Sequence, residues 1–307
     1  MIEILMATYN GEKFLREQLD SLLEQTYRDF KILIRDDGST DGTRDILSEY
    51  TICYPEKIKI IHDENKGGGA AKNFFHLINY ATADYVMFCD QDDFWLPNKI
   101  EVTYKSMIAL EKKHGKEKPA LVFSSYIPVD TNLRKINLKE KNSQIGKYKL
   151  DFNHLLVQNY VTGCLMMCNR ALYSKCGKFD DRILMHDWWL ALLASSTGKI
   201  QHINDEVMLY RQHDNNQVGA VNVKSFNYRI NKLLDKNTRN MQYLYLNQAR
   251  LFYNRYNKIL NNKERLQLYN FISIYQHSSK LTRMFCLIKG RYLKSDFVRI
   301  IGQLWYV

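Results

Sequence analysis

Between Ile2 and Cys89 short apolar runs alternate with segments of helical period, and this order constrains the fold more than any other feature of the chain. Ile2 to Ala7, Phe30 to Ile34, Lys57 to Ile61 and Tyr85 to Cys89 read as strands, with helices over residues 12–25, 42–50 and 70–81 between them. In the first helix Phe14, Leu15, Leu19, Leu22 and Leu23 share one face. Strands joined through helices run parallel and are covered on both sides, which predicts an α/β fold with a mainly parallel sheet flanked by helices. In such sheets ligands bind beyond the carboxyl ends of the strands.

Three polar loops are expected at that edge. The first strand runs into Ala7-Thr8-Tyr9-Asn10-Gly11, the second into Asp36-Asp37-Gly38-Ser39-Thr40-Asp41-Gly42, and the fourth into Asp90-Gln91-Asp92-Asp93. Any one of them is ordinary turn chemistry. Three at the same edge point to a site. The third loop brings three carboxylates together, and their repulsion is relieved most simply by a divalent cation with oxygen ligands. A capping turn for a helix beginning near Pro97 is the other reading of that loop taken alone.

Beyond the acidic loop the sequence predicts a helix over 97–113, a strand from Ala120 to Ser124, and a polar surface loop over 130–149. A helical stretch over 151–159, a buried strand from Thr162 to Cys168 and a helix over 187–197 follow. The six cysteines, at 53, 89, 164, 168, 176 and 286, show no metal-ligand spacing, and reduced thiols are expected. Residues 221–307 hold 16 Lys and Arg against 3 Asp and Glu, whereas 1–220 is near neutral. A boundary is therefore placed at 220, between the α/β region (1–220) and a basic, Tyr-rich helical extension (221–307). In the extension Met241, Leu244, Tyr245, Gln248, Leu251, Phe252, Arg255 and Ile259 follow helical spacing, and a second stretch covers 264–288.

The three loops, together with Trp95-Leu96-Pro97-Asn98-Lys99-Ile100, resemble the family 2 glycosyltransferases of the GT-A fold, a Rossmann-like α/β architecture, over about residues 1–215. Asp-Gln-Asp-Asp followed by an aromatic pair and Leu-Pro is most similar to bacterial rhamnosyltransferases and related surface-polysaccharide enzymes. The resemblance implies an inverting, metal-dependent transfer of one sugar from a dTDP- or UDP-sugar to a lipid- or protein-linked glycan, with Mg²⁺ or Mn²⁺ as cofactor. It would set Thr8, Tyr9 and Asn10 against the nucleoside, Asp37 on the pyrimidine N3–H and Asp36 on the ribose or the loop. Asp41 reads as a helix cap. Lys72, after Asn65-Lys66-Gly67-Gly68-Gly69, would reach a phosphate or the base loop. Asp92 would bind the metal directly, with Asp90 as partner and His213 completing its sphere. Gln91 and Asp93 would lie at the nucleotide sugar, Arg211 at the diphosphate. Asp187 would be the general base. Trp188 and Trp189 read equally as sugar-site lining or as core.

The chain lacks both an apolar stretch long enough to span a bilayer and a leader pattern at Met1, so a cytoplasmic location is expected, peripheral at the inner face of the membrane. The basic aromatic tail would dock on an anionic membrane, bind acceptor, or join subunits into a homo-oligomer. Two alternatives stand beside rhamnosyl transfer: a UDP-hexose (glucose, galactose or N-acetylhexosamine) transferase acting on a glycoprotein, and nucleic-acid binding through the tail. No nucleic-acid module accompanies the tail, and no such partner is expected.

Overall fold

A computed structural model of the chain describes residues 1–62, 67–136, 150–213, 236–295 and 297–307. Residues 137–149 of the loop expected over 130–149, the boundary at 220 and the segment Asn65-Lys66 lie outside the described residues.

The alternation holds through the first half. Strands β1 (Ile2–Thr8), β2 (Phe30–Asp36), β3 (Ile58–Ile60) and β4 (Tyr85–Cys89) are joined by helices α1 (Glu12–Leu23), α2 (Thr43–Cys53) and α3 (Gly69–Tyr80). They pair in the parallel order β3-β2-β1-β4. All five residues of β4 are buried, as an apolar strand covered on both faces requires.

The second half turns the sheet mixed. After β5 (Phe94–Trp95), α4 (Lys99–His114) and β6 (Ala120–Val129) comes the short helix α5 (Phe152–Leu155). A 3₁₀ turn over Gly163–Leu165 precedes β7 (Met166–Asn169), which lies antiparallel between β4 and β6. The expected strand from Thr162 is thus half turn and half strand. Helices α6 (Arg170–Tyr173) and α7 (His186–Thr197) then lead to β8 (Lys199–Arg211), a strand with no counterpart in the sequence reading. Its pairing with β6 shifts register twice, and such irregularities erase the polar-apolar alternation by which a half-buried strand is recognised. The full order is β3-β2-β1-β4-β7-β6-β8-β5. The pairing of β5 with β8, Phe94 opposite Leu209 and Trp95 opposite Met208, brings Tyr210–His213 back beside the acidic loop.

The extension folds as α8 (Lys236–Tyr256), α9 (Asn262–Ser273), α10 (Lys280–Lys289) and α11 (Phe297–Tyr306). The second expected helix is divided by the turn around Ser279, whose hydroxyl caps α10. Phe252 packs edge-on against Trp189 at 5.2 Å and Tyr245 against Trp188 at 5.2 Å, so the extension shares one apolar core with α7. Both tryptophans are buried and donate their indole N–H to carbonyls, Trp188 to Leu155 (2.6 Å) and Trp189 to Cys176 (3.0 Å), which makes them core. All six cysteines are free thiols.

Candidate active site

The loops after β1, β2 and β4 are tied into one rim by side chains that bond to the backbone of their neighbours. Thr8 donates its hydroxyl to Asp36 (3.0 Å), the Asn10 N–H donates to Ser39 Oγ (2.9 Å), and Asn10 Oδ1 accepts from the Thr40 N–H (2.8 Å). Asn10 sits at φ +48°, a left-handed conformation that Asn tolerates better than most residues. The Gln91 amide accepts from the Tyr9 N–H (2.8 Å) and donates to the Tyr9 carbonyl (2.9 Å). It leaves no room at Gly11, where a Cβ would lie 2.3 Å from Gln91 Oε1. Gln91 therefore joins the first loop to the acidic one.

On the second loop the two aspartates divide. Asp36 faces the loop itself: burial works against its charge, but hydrogen bonds from Ser39, Arg44 and Thr8 hold its carboxyl below the usual range. Asp37 is buried, with one oxygen 3.1 Å from the Arg35 guanidinium and the other accepting from the Gly69 N–H (3.2 Å). Arg35 in turn bonds Asn73 Oδ1 (3.1 Å), and Asn73 Nδ2 donates to the Arg35 carbonyl (3.0 Å). Neither Arg35 nor Asn73 was anticipated; the available signal was a single arginine inside the apolar run of β2. Lys72 stands in the first turn of α3 with its stem across Gly68, where φ is +125° and a Cβ would meet Lys72 Cδ at 2.3 Å.

The acidic loop separates its carboxylates in the same way. Asp92 Oδ2 lies 2.7 Å from His213 Nε2, and both side chains are partly exposed. Asp90 and Asp93 turn inward, where their oxygens and the Cys164 sulfur lie within 4.8 Å of one another. Burial pushes Asp90 up to about 7, and the negative charge of Asp92 adds to the effect. Burial, with the charges of Asp92 and Asp90, also drives Asp93 well above the carboxylate range. Asp93 accepts the Arg211 N–H with one oxygen (3.2 Å) and leaves the other, Oδ2, buried without a hydrogen-bond partner. Lys99 lies buried behind the loop, its ammonium donating to the Cys164 carbonyl (2.6 Å) and 3.4 Å from the Trp95 ring centroid. Burial pulls it down to about 8, against the thiols and carboxylates around it. Lys99 too escaped the sequence reading.

Arg211 does not face an open cleft. Its guanidinium donates to the Asp92 carbonyl (2.8 Å), the Thr131 carbonyl (2.5 Å) and Glu17 (2.5 Å), 4.3 Å from the Phe14 ring. It is 1 % exposed. Its charge is engaged by protein groups, and it fixes the end of β8 that carries His213. Asp214, Asn215 and Asn216 lie outside the described residues.

Asp187, in the first turn of α7, is the remaining carboxylate. Its oxygens accept the N–H groups of Trp188 (2.6 Å) and Gly163 (3.1 Å), and burial pushes it up to about 6 against those bonds. Its charge acts on Asp90, so the two carboxylates belong to one electrostatic site. Beside it His186 is buried against Phe74 (4.1 Å) and Phe88 (5.0 Å), both ring nitrogens without partners, and burial holds it neutral, down to about 3. Gly163 is the residue that lets these parts meet: a Cβ there would lie 2.6 Å from His186 Nε2.

The family model for glycosyl transferase family 2 matches residues 3–177, more than half of the chain. The chain belongs to glycosyl transferase family 2. Among curated proteins of this family, the dTDP-rhamnosyl transferase RfbG of Shigella flexneri is 34% identical over 226 residues, 70% of this chain and 74% of that one. Glycosyltransferase GlyG of Streptococcus pneumoniae is 29% identical over 221 residues, 69% of this chain and 71% of its own. In fold, the chain resembles Staphylococcus aureus TarS 1–349 in complex with UDP-GlcNAc (TM-score 0.55, 15% identity, 99% of this chain and 90% of that). It also resembles the mannosyltransferase PcManGT of Pyrobaculum calidifontis in complex with GDP-Man and Mn²⁺ (TM-score 0.54, 15% identity, 99% and 82%). The family 2 chain is thus a glycosyltransferase of the GT-A fold.

Family 2 enzymes often use a divalent cation, and the residues present fit one. Asp92 and His213 offer an oxygen and a nitrogen at a partly open position, Asp90 lies behind them, and the free oxygen of Asp93 leaves the loop with unused acceptor capacity. The Cys164 thiol is pushed well above its usual range by burial and remains protonated, which disfavours it as a ligand for a hard cation. Among the described residues Asp92 and His213, with Asp90 near them, present donor atoms of the kind a hard divalent cation takes.

Proposed function

We propose that this chain is an inverting glycosyltransferase that moves one sugar, L-rhamnose from dTDP-rhamnose, to a growing lipid-linked surface glycan. The observation that carries the reading is the gathering of Asp37, the Asp92–His213 pair and Asp187 along a single sheet edge, each fixed by a different loop. The identity to a dTDP-rhamnosyl transferase supports the choice of donor.

Asp37, pinned by Arg35 and the Gly69 N–H, would accept the N3–H that thymine and uracil share and cytosine lacks. Thr8, Tyr9 and Asn10 would flank the nucleoside, with Asp36 and Gln91 holding the loops that carry them. Lys72 would lie toward a phosphate, and Arg211 would act by fixing the strand end before His213. A bound Mg²⁺ or Mn²⁺, held by Asp92 and His213 with Asp90 behind, would neutralise charge on the departing nucleoside diphosphate. Asp93 would orient the loop through the Arg211 N–H. The acceptor hydroxyl would attack the anomeric carbon from the face opposite the diphosphate; the new C–O bond forms as the bond to phosphate oxygen breaks. The hydroxyl proton passes to Asp187, whose oxygens the Trp188 and Gly163 N–H groups hold in place. Residues 1–220 would carry donor and chemistry, and 221–307 would serve acceptor, membrane or subunit contacts.

A second reading keeps the mechanism and changes the donor to a UDP-hexose and the acceptor to a glycoprotein, because Asp37 treats uracil and thymine alike and a fold neighbour holds UDP-GlcNAc. A donor panel of dTDP-rhamnose and UDP-sugars with Mn²⁺ decides between them. The expected result is turnover of dTDP-rhamnose that falls at least about tenfold in Asp92→Ala. Preference for a UDP-sugar would move the assignment to the second reading, and an undiminished Asp92→Ala would remove the cation from it.

A further inference from the structure

The last two helices expose apolar side chains in stripes that the other described residues leave uncovered. On α10 Leu281, Phe285 and Ile288 are 76%, 62% and 51% exposed; on α11 Phe297, Ile301 and Trp305 are 77%, 44% and 65% exposed. Each set repeats at three or four residues and so lies along one face of its helix. The opposite side is firmly seated: Leu287, Tyr292 and Val307 are buried, Gln303 donates to the Tyr292 carbonyl (2.7 Å) and accepts from the Lys294 N–H (3.0 Å), and Gln242 donates to the Gln303 carbonyl (2.9 Å). The stripes are therefore the outward faces of two helices whose other sides are held by the described residues of the extension.

Charge says what would cover them. Residues 280–307 carry six Lys and Arg and one Asp. Two of the cations stand beside the exposed aromatics: Lys280 Nζ lies 5.2 Å from the Trp305 ring centroid and donates to the Trp305 carbonyl (2.6 Å), and Lys289 Nζ lies 5.8 Å from the Phe285 ring. Apolar and aromatic tips bordered by ammonium groups match the layering of a bilayer surface, acyl chains below and anionic headgroups above. A second copy of this chain would instead bring two cationic rims together.

We propose that helices α10 and α11 dock the enzyme on an anionic phospholipid bilayer. The inference rests on the proposed reading of the acceptor as lipid-linked, and it names the surface by which that acceptor is approached. Vesicle flotation of the full chain tests it, using phosphatidylcholine vesicles with and without about one third phosphatidylglycerol. The wild type is expected to float with the anionic vesicles, to release as salt rises, and to ignore the neutral ones. The double variant Phe285→Ser/Trp305→Ser, altered only at exposed positions, is expected to lose at least about tenfold in binding, because apolar contact is needed beside charge. Leu266→Ser on α9, 59% exposed and outside these two helices, is expected to bind as wild type. Failure of the wild type to float at low salt, or undiminished flotation of the double variant, overturns the proposal. So does a dimer in solution that the double variant abolishes, which assigns the stripes to a second copy. Turnover of nucleotide sugar with a soluble acceptor is read in parallel and stays at the wild-type level in the double variant, so loss of docking and loss of the transfer reaction are distinguishable.

Discussion

The two sides of the cleft are built on opposite terms. On the side proposed for the nucleotide, Thr8, Asn10, Asp36, Asp37 and Gln91 all bond to neighbouring loops or to Arg35, so protein groups tie the rim together. On the side proposed for the chemistry, Asp93 Oδ2 and both nitrogens of His186 are buried without partners among the described residues, and Asp90 and Asp187 are pushed up to about 7 and about 6. Buried polar groups are ordinarily satisfied, and departures from that rule gather where a ligand or a proton transfer is accommodated. The comparison implies that perturbing the chemical side costs turnover, whereas loosening the nucleotide side costs affinity.

The largest effect is expected at Asp187. Asp187→Asn keeps the shape and removes the proposed proton acceptor, and kcat is expected to fall by about 10²–10⁴-fold. On the proposed mechanism the charged form is the active one, so kcat/KM is expected to rise with pH through about 6 and to level above it. The stability sign is opposite. Because burial raises this carboxyl in the folded state above its unfolded value, its ionisation favours unfolding as pH rises through about 6. At pH 8, roughly two units above the transition, Asp187→Asn removes that charge but turns its amide NH₂ toward one of the two N–H donors, so the effects oppose and its melting temperature is expected to stay near that of wild type. A large loss of melting temperature together with activity would reduce Asp187 to a helix cap and collapse the comparison.

Gly163→Ala is expected to come next. The added methyl would lie 2.6 Å from His186 Nε2, and the ring must push on Phe74 and Phe88 or the turn must move, taking its N–H from Asp187. A displacement of about 1 Å at a reacting group typically costs on the order of 10²-fold, so kcat should drop by roughly 10–10²-fold while the donor KM stays within about threefold. An equal rise in donor KM would mean that the two sides of the cleft are mechanically one.

What the sequence made legible follows the same division. The strands of the parallel half are continuous apolar runs because both their faces are covered, and their polar loops fall at one edge as a matter of topology. β5 is two residues long, β8 is mostly polar and bulged, and the direction of β7 depends on partners distant in the chain. In the site, carboxylates announced themselves through their grouping. Gly163, Asn73 and Lys99 did not, because each works through a backbone group, a neighbouring amide or a carbonyl supplied by another element. The partners that the fold gives Arg211, Glu17 and the Asp92 and Thr131 carbonyls, come from distant segments and are not legible in its own motif.

The smallest effect is expected at Gln91, and it sharpens the comparison most. Gln91 looks like part of the acidic motif, yet among the described residues its amide bonds the Tyr9 backbone twice, at an exposed position, and none of the loop's carboxylates. Gln91→Leu removes both bonds and keeps similar bulk. With each such bond worth about 1 kcal/mol, and water able to replace part of it, the donor KM should rise by roughly 3–10-fold with kcat nearly unchanged. Isothermal titration with the free nucleoside diphosphate isolates the same loss from the chemistry. If kcat fell with the KM instead, the first loop would be coupled to the Asp187 side through the acidic loop, and the preformed rim would be part of the catalytic apparatus rather than its support.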